Sequence, residues 1–223
     1  MAVNKVLLAS PRGFCAGVEM AIKALAWMVR SFDEPVYCYH EIVHNKIVVD
    51  RFVAQGVVFV DSIEEVPIGS PIMLSAHGSA PEIVAAARSR GSYVVDAVCP
   101  LVTKVHHEVK TRAAKGYHIV YIGHEGHEEV VGTAGEAPDV ITLVQDPKEA
   151  AEVELNPDGK LIWLSQTTLS VDETIATVDV LQNRFPNLVS PPSDDICYAT
   201  QNRQAAVKAI APECEVVIVV GSG

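Results

Sequence analysis

The stretch Tyr93-Val94-Val95-Asp96-Ala97-Val98-Cys99-Pro100-Leu101-Val102 sets the reading of the whole chain. Apart from Asp96 it is apolar and rich in β-branched valine up to Val98. From Leu101 the apolar residues Leu101, Val105 and Val109 recur at helical spacing. The chemistry therefore predicts a strand, a cysteine at the turn, and a helix that ends near Gly116. The same order occurs earlier. Val6 to Ala9 reads as a strand, Cys15 follows, and Val18, Ala21, Ile22, Leu25 and Val29 mark a helix. It occurs a third time around Cys197, with a helix over about Ala199 to Ile210 and a strand at Glu215 to Val220.

Outward from these anchors the repeat deepens. Strands are expected at Pro35–Tyr39, Val57–Val60 and Ile72–Ser75 in the first unit. In the second they are expected at Ile119–Ile122, Val140–Val144 and Leu161–Ser165. A helix is predicted at Pro81–Arg90, opened by the capping box Ser79-x-x-Glu82 and followed by Gly91. Its counterpart runs from Val171 to Phe185, opened by Ser170-x-x-Glu173 and stopped by Pro186. Val60 to Glu64 and Val144 to Glu149 both read as an acidic cap before a short helical turn.

The cysteine spacings are 99 − 15 = 84 and 197 − 99 = 98. His44 follows its cysteine by 29 residues and His127 by 28, whereas only 26 residues separate Cys197 from Gly223. Such spacings exceed a solenoid period, so the expectation is three small α/β domains with parallel sheets. The boundaries are 15–96, 97–193, and 1–14 together with 194–223. Set around a pseudo-threefold axis, they aim three cysteine loops at one centre. The third unit is expected to be incomplete, short by on the order of 60–80 residues if the domains are alike.

Composition narrows the function classes. A net charge of −11 argues against nucleic acid as a partner, because phosphate backbones demand clustered Lys and Arg. No apolar run approaches the roughly 18 residues of a spanning helix, and no signal peptide is read, so no membrane role and a cytoplasmic location are expected. Five cysteines without a C-x-x-C pair exclude the compact zinc-ribbon and redox motifs. Cys15, Cys99 and Cys197 stand at equivalent repeat positions and are read as ligands of one metal centre, whereas Cys38 and Cys214 break the pattern and are structural. Three thiolates suit a cubane cluster with one open iron, or a Cys₃ zinc site.

Polar residues gather just after predicted strands, where α/β domains place ligand contacts. These are His40 to Asn45, Ala76-His77-Gly78-Ser79, Gly123 to Glu129, and Gln166-Thr167-Thr168. Protonated histidines there can hold an anion in an otherwise acidic protein. A carboxyl group in the Gly-hinged 123–129 loop could deliver protons, and spacing alone does not choose among Glu125, Glu128 and Glu129.

At these residues the sequence resembles the LytB/IspH family of 4-hydroxy-3-methylbut-2-enyl diphosphate reductases. The carriers are Pro11 to Val18, His40 to Asn45, Ser75 to Gly78, Cys99 to His106, Gly123 to Glu129, Gln166 to Asp172, and Asp194 to Thr200. The resemblance implies a trefoil of three α/β domains around a central [4Fe–4S] cluster held by Cys15, Cys99 and Cys197. It implies that the fourth iron binds the substrate hydroxyl as a Lewis acid. His44, His77 and His127 match residues that hold the diphosphate or line its pocket, and Thr167 matches a threonine near the hydroxyl. Glu129 matches the acid of the proton relay. The implied reaction, in non-mevalonate isoprenoid biosynthesis, removes the allylic hydroxyl as water with two electrons and two protons. It yields isopentenyl and dimethylallyl diphosphate, with a ferredoxin or flavodoxin as electron donor. The family continues past the glycine-serine near Gly221 with a Ser-Ser-Asn motif, whereas this sequence stops at Ser222-Gly223. The expectation is therefore an incomplete diphosphate site, weak or absent activity, and a cluster more open to oxygen. Two other readings compete: a structural or hydrolytic Cys₃ zinc protein, and an α/β module that binds a phosphorylated metabolite. Against the second, no G-x-G-x-x-G follows the first strand.

Overall fold

The structure, a computed structural model, describes residues 4–221. The 16-residue helix α1 (Ala16–Ser31) opens directly on Cys15. It buries Ala21, Leu25 and Met28, spaced four and three apart, and so presents one apolar face. Four parallel strands follow: β1 (Tyr37–Tyr39), β2 (Val58–Val60), β3 (Pro71–Leu74) and β4 (Tyr93–Asp96), arranged β2-β1-β3-β4. Between them lie α2 (Lys46–Val53) and α3 (Pro81–Arg90). Side chains alternate across the sheet. Cys38 and Met73 join α1 and Phe52 of α2 in one core, while Ile72 and Leu74 join Ala87 of α3 in another.

The second sheet repeats the first. Strands β5 (His118–Ile122), β6 (Ile141–Val144), β7 (Leu161–Ser165) and β8 (Leu188–Val189) are parallel in the order β6-β5-β7-β8. Val120 and Ile122 pack toward α6 (Pro147–Glu152) and α7 (Val171–Arg184) through Ala150 and Leu181. Ile119, Tyr121, Ile162 and Leu164 face α4 (Pro100–Ala114) and α5 (Glu128–Ala134) through Val105, Val109 and Val130. The protein is thus α/β, with two parallel four-stranded sheets that each carry helices on both faces. In both, the strand order reverses beside the first strand, and such a switch point opens a crevice at the carboxyl ends of two strands.

The described residues after Asp194 form α8 (Tyr198–Ile210) and no strand. Here the structure corrects two expectations. Val6–Ala9 and Glu215–Val220 are not strands, and Val216, Ile218, Val219 and Val220 are largely exposed. A strand exists by pairing its backbone groups, and neither run has a strand partner among the described residues. Met1–Val3 and Ser222–Gly223, which the third-unit boundaries include, lie outside the described residues.

The cap of α3 is a further correction. Pro81 occupies its first position and Ala80 its N-cap, with no side-chain cap bond, so Ser79 stands one residue too early for the expected box. The cap expected at Asp61 is supplied instead by Ser62, whose box with Glu65 opens a 3-10 turn at Ile63–Glu65. Ser170 does cap α7, accepting from the Glu173 amide at 3.4 Å.

Candidate active site

The switch point of the first sheet supplies imidazoles. The loop after β1 carries His40 and His44 and ends in Asn45, whose side chain caps α2 by accepting from the Val48 amide. The loop after β3 carries His77, and Gly78 then takes a left-handed φ of 82°. His127, from the second unit, is the N-cap of α5, and its Nδ1 accepts from the Glu129 amide at 3.1 Å. The rings of His44 and His77 stack at 4.1 Å, and His127 stands edge-on to them at 5.2 and 5.8 Å. The structure therefore brings the three sequence-predicted histidines into one cluster.

Two glycines permit that meeting. A Cβ at Gly132 would lie 2.8 Å from the Gly78 carbonyl oxygen, and one at Gly135 would lie 2.5 Å from the Ala80 Cβ. Both contacts are closer than real side chains tolerate, so glycine on α5 lets the helix sit against the His77 loop. The first residue of α5, Glu128, enters the cluster. Its Oε2 lies 2.7 Å from His77 Nδ1 and its Oε1 lies 3.7 Å from His40 Nδ1. Burial alone raises Glu128. Contact with His77 and the charges of His77, His40 and His44 outweigh it, and the carboxyl ends below its usual range. His127 is pushed down to about 4 by burial and by neighbouring His77 and His44. Sequence reasoning had no means to place Glu128 here, since its position depends on where α5 starts.

The second switch point supplies a carboxyl. Glu129 is 2% exposed. Its Oε1 accepts from the Thr167 amide at 2.7 Å and its Oε2 from the Thr167 hydroxyl at 3.0 Å. Burial pushes Glu129 up to about 7, against the lowering effect of both Thr167 hydrogen bonds. The Thr167 carbonyl in turn accepts from the Cys197 amide at 2.9 Å. A continuous path of contacts thus runs from His127 through Glu129 and Thr167 to Cys197.

Cys15, Cys99 and Cys197 are the N-cap residues of α1, α4 and α8. The Cys15 sulfur accepts from the Val18 amide at 3.5 Å, and the Cys197 sulfur from the Thr200 amide at 3.4 Å. A helix N-terminus favours a thiolate. The sulfurs of Cys15 and Cys99 approach from two helices, because a Cβ on Gly17 would stand 3.9 Å from one and 2.9 Å from the other. Burial raises the Cys99 thiol, hydrogen bonds from Leu101 and Val102 lower it, and the neighbouring thiolates of Cys15 and Cys197 raise it. Cys38 differs: it is fully buried in the core, and burial pushes its thiol far up.

Lys104 and Asp195 were not singled out individually from the sequence. Lys104 on α4 donates to the carbonyls of Ser193 (3.1 Å) and Asp194 (2.7 Å) and to Asp195 Oδ1 (3.0 Å). Asp195 Oδ2 accepts from the Ser165 amide at 3.1 Å. The helix that begins at Cys99 therefore ties down the segment that leads into Cys197. A cavity of about 460 Å³ opens elsewhere, between α3 and α4, and is lined by Arg88, His106 and Lys110 among others. It contains none of the three thiols and none of the histidine cluster.

A parallel α/β protein with helix-capping thiols from three segments and a histidine-carboxylate pocket at its switch points is a narrow structural class. Comparison with known proteins places it within that class. The LytB protein family model matches residues 6–223, and the chain belongs to that family. It is 57% identical over 219 residues to the 4-hydroxy-3-methylbut-2-enyl diphosphate reductases of Mycobacterium sp. (strain KMS) and Rhodococcus jostii (strain RHA1). Those matches cover 98% of this chain but 66% and 65% of the relatives, so the chain spans just under two thirds of their length. Among solved structures, the E-1-hydroxy-2-methyl-but-2-enyl-4-diphosphate reductase of Plasmodium falciparum superposes with a TM-score of 0.92 at 40% identity. That match covers 96% of this chain and 67% of the other. A second, (E)-4-hydroxy-3-methyl-but-2-enyl diphosphate reductase, described as the terminal enzyme of the non-mevalonate pathway, gives 0.74 at 30% identity, covering 93% and 73%. No described helix is long and apolar enough to cross a membrane.

Proposed function

We propose that this chain is an iron–sulfur reductase that dehydroxylates 4-hydroxy-3-methylbut-2-enyl diphosphate to isopentenyl and dimethylallyl diphosphate. The observation that carries the reading is the set of three helix-capping thiols, one of them joined to a buried proton-carrying carboxyl through Thr167. The donor set fits a cluster better than one zinc ion. Among the described residues, the three thiols do not all lie within 4.8 Å of one another as His44, His77 and Glu128 do. Around a single zinc, with Zn–S bonds of about 2.3 Å, sulfurs cannot stand much more than about 4.6 Å apart. Sulfurs that each bind a different iron of a cluster span a wider triangle.

Cys15, Cys99 and Cys197 would hold a [4Fe–4S] cluster at the meeting point of three helix N-termini. When bound, the cluster would supply electrons singly and an open iron as a Lewis acid. The chain's own residues supply position and protons. His44, His77 and His127 can hold the diphosphate by donating ring N–H groups to its oxygens, His127 as a neutral imidazole whose Nδ1 accepts from the Glu129 amide and whose Nε2 carries the hydrogen. A diphosphate fixed there orients the far end of the substrate toward the thiols. Glu129 carries a proton near neutral pH, and its contacts with Thr167 set it beside the hydroxyl of that residue. Hydroxide is a poor leaving group, so a proton delivered from Glu129 lowers the barrier to its departure as water. We assign residues 15–96 and 97–193 to two domains and 1–14 with 194–223 to a third. A ferredoxin or flavodoxin is the proposed electron donor and the cytoplasm the proposed compartment.

The test is anaerobic purification, visible absorption, and assay of the diphosphate substrate with a low-potential one-electron reductant. A brown protein that releases both isoprenoid diphosphates, slowly, is the expected result. A protein that carries the cluster and binds the substrate but leaves its hydroxyl intact would refute the assignment of this reaction.

A further inference from the structure

His44, His77 and Glu128 arrive from three separate elements: the loop after β1, the loop after β3, and the start of α5. Two are imidazoles and one is a carboxylate, and one donor atom from each lies within 4.8 Å of the others. His77 Nδ1 and Glu128 Oε2 are 2.7 Å apart, yet the carboxylate lies off the line of an imidazole N–H. The two atoms are in close contact without the alignment of a hydrogen bond. Both atoms are shielded from solvent, with no hydrogen-bond partner among the described residues. Buried polar atoms in that state call for a further partner.

We propose that His44, His77 and Glu128 form a binding site for one divalent transition-metal ion of the zinc class. Two imidazoles and one carboxylate, completed by a fourth ligand such as water, are a common donor set for such ions. Bonds of about 2.0–2.2 Å set tetrahedral donors roughly 3.3 Å apart. His77 Nδ1 and Glu128 Oε2, at 2.7 Å, would part slightly to admit the ion, and His44, stacked on His77, would swing its ring to complete the set. Outer carboxylate and imidazole groups are in place as well. Glu41 Oε2 stands 3.5 Å from His44 Nδ1, and His40 Nδ1 stands 3.7 Å from Glu128 Oε1. Such neighbours orient metal-bound side chains. The site is distinct from the thiols and does not depend on what they hold. Its donors overlap the proposed diphosphate contacts, so a bound ion would compete for the same imidazoles.

Cobalt(II) is the probe, titrated without air into the 223-residue chain and its variants. Nitrogen and oxygen donors give weak visible bands, whereas thiolates add intense near-ultraviolet charge transfer, so the two sites are read separately. The expected result is one cobalt ion with a nitrogen–oxygen spectrum, displaced by one equivalent of zinc. Glu128→Gln and His77→Ala should each weaken it at least about tenfold. If His77→Ala does not fold, Glu128→Gln, which preserves size, decides. The proposal is overturned if cobalt appears only with thiolate bands, or if Glu128→Gln binds it as tightly as the unaltered chain. Iron and sulfide content, measured on the same samples, reports independently on the cluster.

Discussion

The two sheets have the same strand order and the same switch point, but they load it differently. Behind β1 and β3 stand His40, His44 and His77; behind β5 and β7 stand His127, Glu128, Glu129 and Thr167. The first unit therefore offers imidazoles, and the second mainly acids and a hydroxyl. Topology decides where a site forms, and the loop residues decide its chemistry. The consequences differ too. Glu128 leans into the first unit's imidazoles and ends below its usual range, while its neighbour Glu129 turns into its own sheet and rises to about 7.

The largest effect should come from the three helix-capping thiols. Cys99→Ser should reduce bound iron to background, measured by metal and sulfide analysis, whereas Cys38→Ser should leave it unchanged. Next, Glu129→Gln should lower turnover by about 10²–10⁴, measured in single-turnover assays, with substrate affinity nearly kept. Its counterpart Glu128→Gln should spare the proton step, since Glu128 does not touch Thr167.

Glu129 also sets a stability signature. Its folded-state pKa stands above its ordinary value, so the native state binds the extra proton. That contribution is complete below about 4.5 and is lost as pH rises through about 7. Relative to Glu129→Gln, the unaltered chain should lose up to roughly 3 kcal/mol over that window, measured by denaturant unfolding at several pH values. A smaller loss is expected for Lys104→Met. It leaves Asp195 buried without its cation and should cost about 1–3 kcal/mol, together with faster loss of iron to a chelator. The smallest is Gly126→Ala. It meets no atom within 4 Å but must hold a φ of 78°, so about 1 kcal/mol is expected, measured as a shift in unfolding midpoint.

Much of this was legible in the residues. Leu161–Ser165 and Pro81–Arg90 form the strand and helix their patterns predict, because their ends are marked by turn residues and proline. The missed elements lacked such marks. In α2, Ile47 and Val53 are exposed while Phe52 is buried, so no clean apolar stripe announces a helix. Helix α5 contains Gly132, a poor helix former that is needed for contact with the Gly78 carbonyl. That reason is tertiary and invisible locally. Val216–Val220 misled in the opposite direction, since β-branched residues fit a sheet but cannot make one without a partner strand. The cysteines were legible through the repeat. The Glu129–Thr167 pair was not, because 38 residues separate its members and only the β5–β7 pairing brings them together.

The most direct test of the central claim, that Cys15, Cys99 and Cys197 jointly hold one cluster, is iron and acid-labile sulfide analysis of anaerobically prepared chain. The account predicts about four of each per chain, lost together when any one of the three cysteines is replaced. Absence of sulfide, with zinc retained even after Glu128→Gln, would contradict it.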